Sequence, residues 1–256
     1  MGTHHLLLFF FIVLSGLDCK SDDIDVLAHL EGDQVKSTLQ KALQSAGGFK
    51  SWQEIIRLEF DKNTTLYGSG GEVESESDQH HRYFYQPARI LEITWEDSMG
   101  NHQIIQSSDS TSKHLNRKIV HPSKETEYSN MVLSSEFVIS LPFKLVNKDV
   151  ILNYQGIDTL PDRAVVHTIQ AKYRPEFKTH YDTSDVWWHY FAIDDFRHAG
   201  YKVQHVDHVS YVQNTGYVRH AGIVFPSTRR SYRLNADGSI AYLRANYIYS
   251  DFIIEK

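Results

Sequence analysis

Apolar and polar side chains alternate along most of this chain, and the alternation is interrupted twice by the longer period of a helix. The first interruption covers 33–46, where Val35, Leu39, Ala42, Leu43 and Ala46 form one apolar stripe behind Asp33 as N-cap, and Gly47-Gly48 stops the helix. Ser51 and Glu54 predict a capping box for a short second helix around Trp52. From Arg57 the period is two. Leu58, Phe60 and Leu66 share a face of 57–67, Gly68-Ser69-Gly70-Gly71 turns the chain, and 72–85 returns. Over 89–97, Leu91, Ile93 and Trp95 oppose Glu92, Thr94 and Glu96, the signature of a half-wetted antiparallel sheet. Short strands follow at 102–107 and 111–120. The second helical stretch, 123–139, sets Tyr128, Met131, Val132, Ser135 and Ile139 on one side and ends near Pro142.

Strands resume at 150–154 and 163–173. The aromatic run 186–193 closes at Asp194-Asp195, whose residue types suit a turn, and puts one indole of Trp187-Trp188 on each face. Further strands are expected at 201–212, at 217–225 up to Pro226, and at 228–234 up to Asn235-Ala236-Asp237-Gly238. The last, 239–254, aligns Ala241, Leu243, Ala245, Tyr247 and Tyr249. The predicted fold class is mainly β (α+β). It is a long antiparallel sheet of about ten or eleven strands, which must twist and curl, with helices covering its concave side. No repeat of propeller or solenoid length is visible.

Residues 6–14 form an apolar run of signal-peptide length, too short for a membrane span. Cys19, the one cysteine, follows it directly and excludes an internal disulfide. The arrangement resembles a bacterial lipoprotein signal. The expected organisation is a signal peptide over 1–18, Cys19 as lipid anchor, a polar tether over 19–32 and one domain over 33–256. Two or more acyl chains on Cys19 would hold the protein at a membrane, where a single chain binds only marginally.

A net charge of -6, with no basic cluster longer than Arg229-Arg230, gives no footprint for nucleic acid. No GxSxG elbow, GxxxxGK phosphate loop or HExxH helix occurs, and Gly68-Ser69-Gly70-Gly71 lacks the lysine of a phosphate site. The 15 histidines are the strongest candidate chemistry. His189, His205 and Asp207 could share a hairpin face. His205 and His208, three apart on a predicted strand, would point to opposite faces, which removes the tightest pair. No metal, cofactor or catalytic residue is therefore assigned. A histidine-rich metal-dependent hydrolase and a structural module of an envelope complex stand as the alternatives.

Several segments resemble an uncharacterised family of bacterial envelope proteins. They are Ala46-Gly47-Gly48 before Trp52, Phe60-Asp61-Lys62, Gln79-His80-His81, Pro142-Phe143-Lys144-Leu145, the Trp-Trp-x-Tyr-Phe run at 187–191, and 222–227 with its Phe225-Pro226 step. That family is similar in turn to the LolA/LolB-like lipoprotein carriers and receptors. The resemblance implies an unclosed antiparallel half-barrel with helices as its lid around an apolar cavity for acyl chains. It implies a non-enzymatic, membrane-anchored envelope protein, at the outer membrane facing the periplasm, whose partner is a lipid or acylated protein. Candidate lining residues are Trp95, Trp188, Tyr190, Tyr232, Leu243 and Tyr247.

Overall fold

A computed structural model describes residues 26–108, 110–120, 125–173 and 185–256. The expected signal peptide, Cys19 and the first part of the tether lie outside these residues. Two helices come first, α1 (Asp33–Ser45) and α2 (Phe49–Gln53). Six strands follow: β1 (Arg57–Tyr67), β2 (Val73–Phe84), β3 (Ile90–Asp97), β4 (Gly100–Gln106), β5 (Thr111–Leu115) and β6 (Lys118–Val120). Then come α3 (Glu125–Ile139) and a single 3₁₀ turn at Phe143–Val146. The chain closes with β7 (Val150–Thr159), β8 (Val165–Tyr173), β9 (Val186–Ala192), β10 (His198–Gln204), β11 (Val209–His220), β12 (Ile223–Leu234) and β13 (Ile240–Glu255).

All strands join one antiparallel sheet in the order β6-β5-β4-β3-β2-β1-β13-β12-β11-β10-β9-β8-β7. Its two edges, β6 and β7, are consecutive in sequence, so the connection between them has to pass from one side of the sheet to the other. That connection carries α3. β5 and β9 are nine strand steps apart, about 43 Å if the sheet were flat. Yet α3 touches both flanks. Near its start, the Tyr128 ring lies 5.9 Å from Lys113 of β5, and near its end Phe137 meets Trp187 of β9 edge-on at 5.4 Å. Those two helix positions are only about 14 Å apart along the axis. The sheet therefore curls into a trough, and α3 bridges it.

Strand alternation assigns the two faces. Leu58, Phe60, Tyr83, Leu91, Ile93, Ile169, Trp187, Phe191, Tyr201, Phe225 and Tyr249 point into the trough and pack with Leu39, Leu43, Val132 and Phe137 of the helices as one core. A second, smaller cluster, Leu160, Val166, Tyr190 and Tyr211, lies on the outer face. Leu27 and Leu30 are also buried in the main core, so the packed unit reaches back into the expected tether. At one end of the trough the chain after α1 runs hard against the β11–β12 turn. The Val224 amide donates to the Ala46 carbonyl at 2.9 Å. Gly47 has φ +113°, and any Cβ there would strike the Gly222 carbonyl oxygen. Trp52 then stacks on Phe143 at 4.6 Å and closes that end.

The sheet has thirteen strands rather than ten or eleven, partly because 111–120 is a hairpin turning at Asn116-Arg117, with φ 49° and 66°. The caps also differ. Gly32 and Gly48 precede α1 and α2, and neither helix has a side-chain cap. The turns expected at 213–216 and at Pro226 lie inside β11 and β12, where the register shifts; the chain reverses at 205–208 and 221–222 instead. A bulge between Ser231 and Tyr232 likewise breaks the single face expected for β13, pairing Ala245 with Ser231 but Leu243 with Tyr232.

Candidate functional site

At the other end of the trough, along the flank of α3, an open groove of about 430 Å³ remains where helix and sheet meet. Exposed Asn130 and Ser134 and half-buried Val138, spaced by four and so on one face of α3, form one wall of it. Its floor comes from inward positions of five adjacent strands: Trp187 of β9, Tyr201 and Val203 of β10, Val212 of β11, Ser231 of β12 and Tyr247 of β13. Leu66 of β1 adds to that apolar surface. Charge is confined to the mouth, where Asp185, His205, His208, Arg233 and Arg244 stand. Asp185 accepts from His205 at 2.8 Å, Arg233 donates to the Ser210 hydroxyl, and Arg244 pairs with Glu74 at 2.5 Å. The indole N–H of Trp187 is buried in this wall without an acceptor. Burial pushes the Tyr201 hydroxyl up, and pushes Tyr247 up to about 12, so both are neutral phenols at any physiological pH.

Next to the groove, on the same inward face of β12 as Ser231, lies Arg229, 2% exposed, with no carboxylate partner among the described residues. Its guanidinium donates to Asn214 Oδ1 at 2.8 Å, to the Val138 carbonyl at 2.5 Å and to the Tyr249 hydroxyl at 3.5 Å. Val138 is in the last turn of α3, where carbonyls lack intrahelical donors and the helix dipole favours a cation. Arg229 thus fastens the end of α3 to the trough floor. Asn214 continues the chain of contacts by donating to the His198 carbonyl at 2.8 Å, and the His198 ring lies 3.4 Å from His189. Burial drives His189 down to about 3 and His198 well below its ordinary value, so these are neutral structural imidazoles. A second anchor is Glu136, which receives Lys144 at 2.7 Å and Arg89 at 3.4 Å.

No protein-family model matches the chain, and no curated protein matches it. Solved structures do. A putative outer membrane lipoprotein-sorting protein domain from Vibrio parahaemolyticus superposes with TM-score 0.55 at 8% identity over 86% of this chain and 92% of its own. A LolA superfamily protein from Nitrosomonas europaea gives 0.53 at 12% over 86% and 93%, and a DUF1329 family protein from Desulfovibrio piger 0.51 at 11% over 88% and 94%. The fold is LolA-like. At these identities the likeness is one of architecture: an unclosed antiparallel sheet whose trough is bridged by helix.

Within this LolA-like trough the six sequence-predicted lining residues divide. Tyr247 lines the groove along α3. Trp95 also points inward but lies further along the sheet, stacked on His102 at 4.7 Å with the Lys113 ammonium 3.4 Å above its ring. Trp188, Tyr190 and Tyr232, and Leu243 paired with Tyr232, belong to the outer face, where Trp188 and Tyr190 border a separate surface depression. The histidines are placed differently from the strand-based expectation as well. His205 and His208 flank a turn, and their rings are 4.5 Å apart rather than on opposite faces. Among the described residues no three His, Cys, Asp or Glu side chains gather as metal ligands. Sequence reasoning missed Arg229, Lys113 and the Asn130, Ser134 and Val138 face. The i, i+4, i+8 run of small or uncharged residues on α3 was the available signal for the last.

Proposed function

We propose that this protein is a non-catalytic, membrane-tethered envelope protein that holds an acyl chain, of a lipid or of an acylated protein, in the groove along the flank of α3, Cys19 serving as its lipid anchor. One observation carries the reading: α3 bridges a curled sheet and leaves along its flank an open groove with an apolar stretch of Leu66, Val138, Trp187, Tyr201, Val203, Val212 and Tyr247. The LolA-like architecture supports it. Hydrophobic transfer is sufficient as mechanism, since each buried CH₂ contributes about 0.8 kcal/mol, enough to hold a chain against water and still release it to a bilayer. Tyr247 is the predicted lining residue that touches this path. Trp95, Trp188, Tyr190, Tyr232 and Leu243 would meet a chain only if it extended beyond the groove or bound the outer face.

The test is native mass spectrometry of protein purified without detergent, together with uptake of a fluorescent fatty acid. The expected result is co-purified lipid or saturable uptake, weakened about tenfold or more by Ser134→Trp, which fills the groove from its helix wall without touching the core. Uptake that is absent in the native protein, or unaffected by Ser134→Trp, rejects the groove as the binding site.

A further inference from the structure

The mouth of the groove is chemically unlike its floor, and the difference identifies which end of a ligand belongs there. Arg233 projects from β12 on the trough side, opposite Ser210, and donates to that neutral hydroxyl; no carboxylate lies within 4.0 Å of it among the described residues. Arg244 is extruded at the β12–β13 bulge, lines the same mouth, and shares its charge with Glu74 and the Tyr67 carbonyl. His205 bonds Asp185 at 2.8 Å and His208 bonds Asp207 at 2.6 Å, so each of these carboxylates already has a partner other than arginine. The mouth therefore presents one guanidinium without a carboxylate partner among the described residues beside a second that shares Glu74. A guanidinium presents a planar fork of donors that matches a carboxylate or phosphate, and a hydroxyl uses only one of them.

Resting on the acyl-chain reading of the same groove, we propose that its ligand is a single-chain anionic amphiphile, whose carboxylate or phosphate head is bound at the mouth by Arg233 and Arg244 with its chain along Tyr201, Val212 and Tyr247. One chain, rather than the two of a diacyl lipid, follows from the groove's volume of about 430 Å³. Anionic selectivity follows from the donors of the Arg233 fork that the Ser210 hydroxyl leaves unused. The bulge at Ser231/Tyr232 acquires a role in this arrangement, because the extra residue it inserts is Arg244.

The experiment is displacement of a fluorescent fatty acid from the full-length protein by four probes of matched chain length: palmitate, lysophosphatidic acid, hexadecanol and hexadecyltrimethylammonium. Palmitate and lysophosphatidic acid should displace it about tenfold or more better than hexadecanol, and the cation should be poorest. Arg233→Gln, and more strongly Arg233→Gln with Arg244→Gln, should erase the advantage of the anions and leave hexadecanol unchanged. The ratio of the first two probes separates a carboxylate from a phosphate head. If hexadecanol equals palmitate, or if the glutamine variants keep the anion preference, the headgroup site is overturned while the acyl groove stands. If no probe displaces and none binds, the groove itself fails and this inference fails with it. Thermal melts of the two variants that match the parent would exclude misfolding as the cause of a lost preference.

Discussion

Arg229 is where the buried polar structure of the trough converges. Its three bonds join β12 to β11, to β13 and to the last turn of α3, and its removal would orphan Asn214 Oδ1 and the Val138 carbonyl in a dry interior. Arg229→Ala should lower unfolding stability by about 3–5 kcal/mol, seen as a reduced urea midpoint at unchanged slope. Arg229→Met, which keeps volume and removes charge, should recover part of that loss. Equal stability of the methionine variant and the parent would show that the guanidinium bonds contribute nothing. The enclosed histidines make a second prediction at this scale. Burial lowers His81, His189 and His198, His189 to about 3 from 6.5. The unfolded chain takes up these protons near pH 6.5 and the folded chain does not, so stability is complete above that pH and lost as pH falls towards the folded values. The loss should approach about 1.4 kcal/mol per pH unit for each ring. Urea midpoints at pH 7.5, 6.5 and 5.5 measure it, and His189→Gln should flatten the slope by one ring's share. A profile already flat in the parent would mean the rings protonate inside the fold. None of these four residues' roles is legible in the sequence, since a histidine or arginine on an alternating strand reads as solvent-facing until a helix is known to cover it.

Elements were easier to read than their junctions. The span 57–67 coincides with β1, and 33–46 with α1 to within a residue, because Leu58 and Phe60 alternate cleanly and Val35, Leu39 and Leu43 keep a helical stripe. Reading failed where one residue type serves two purposes. Asn214-Thr215-Gly216 and Pro226 have turn chemistry but occupy bulges of long, strongly twisted strands. The true reversal at His205-Val206-Asp207-His208 has neither glycine nor proline to announce it. For α3 the expected stripe of Tyr128, Met131, Val132, Ser135 and Ile139 shares Val132 and Ile139 with the buried residues, which also include Ser129, Leu133, Glu136 and Phe137. A helix that bridges a trough is touched on more than one side, and no single apolar stripe describes it. The junction after α1 gives a sharp test. Gly47 and Gly48 both have positive φ, but only Gly47 is pressed against the Gly222 carbonyl, and nothing lies within 4 Å of a Cβ on Gly48. Gly48→Ala should cost about 1 kcal/mol of backbone strain. Gly47→Ala should cost clearly more, and equal melting temperatures for the two variants would remove the close approach as an explanation.

For the molecule as a whole, the sheet class, the curl and the covering helices were all legible, since long alternating strands with two helical insertions leave few other arrangements. The strand order was not, because it depends on one pairing between β1 and β13, whose residues lie nearly the whole chain apart. Every other neighbour pair in the sheet consists of strands consecutive in the chain. Six strands therefore form one meander, seven form another, and a single ladder from Arg57–Glu255 to Leu66–Ala245 stitches them together. A cut at 147–149, between the 3₁₀ turn and β7, should yield two pieces that reassociate when mixed, since β1 and β13 fall on different sides of it. Recovery of the parent circular dichroism spectrum on mixing measures this, and two pieces that never combine would reject it. The same seam runs beside the groove, through Leu66 and Tyr247. Its consequence is mechanical: two halves joined by one zipper and one strut can breathe like the covers of a book, and a guest too long for the resting gap could enter by parting the spine rather than by lifting the strut.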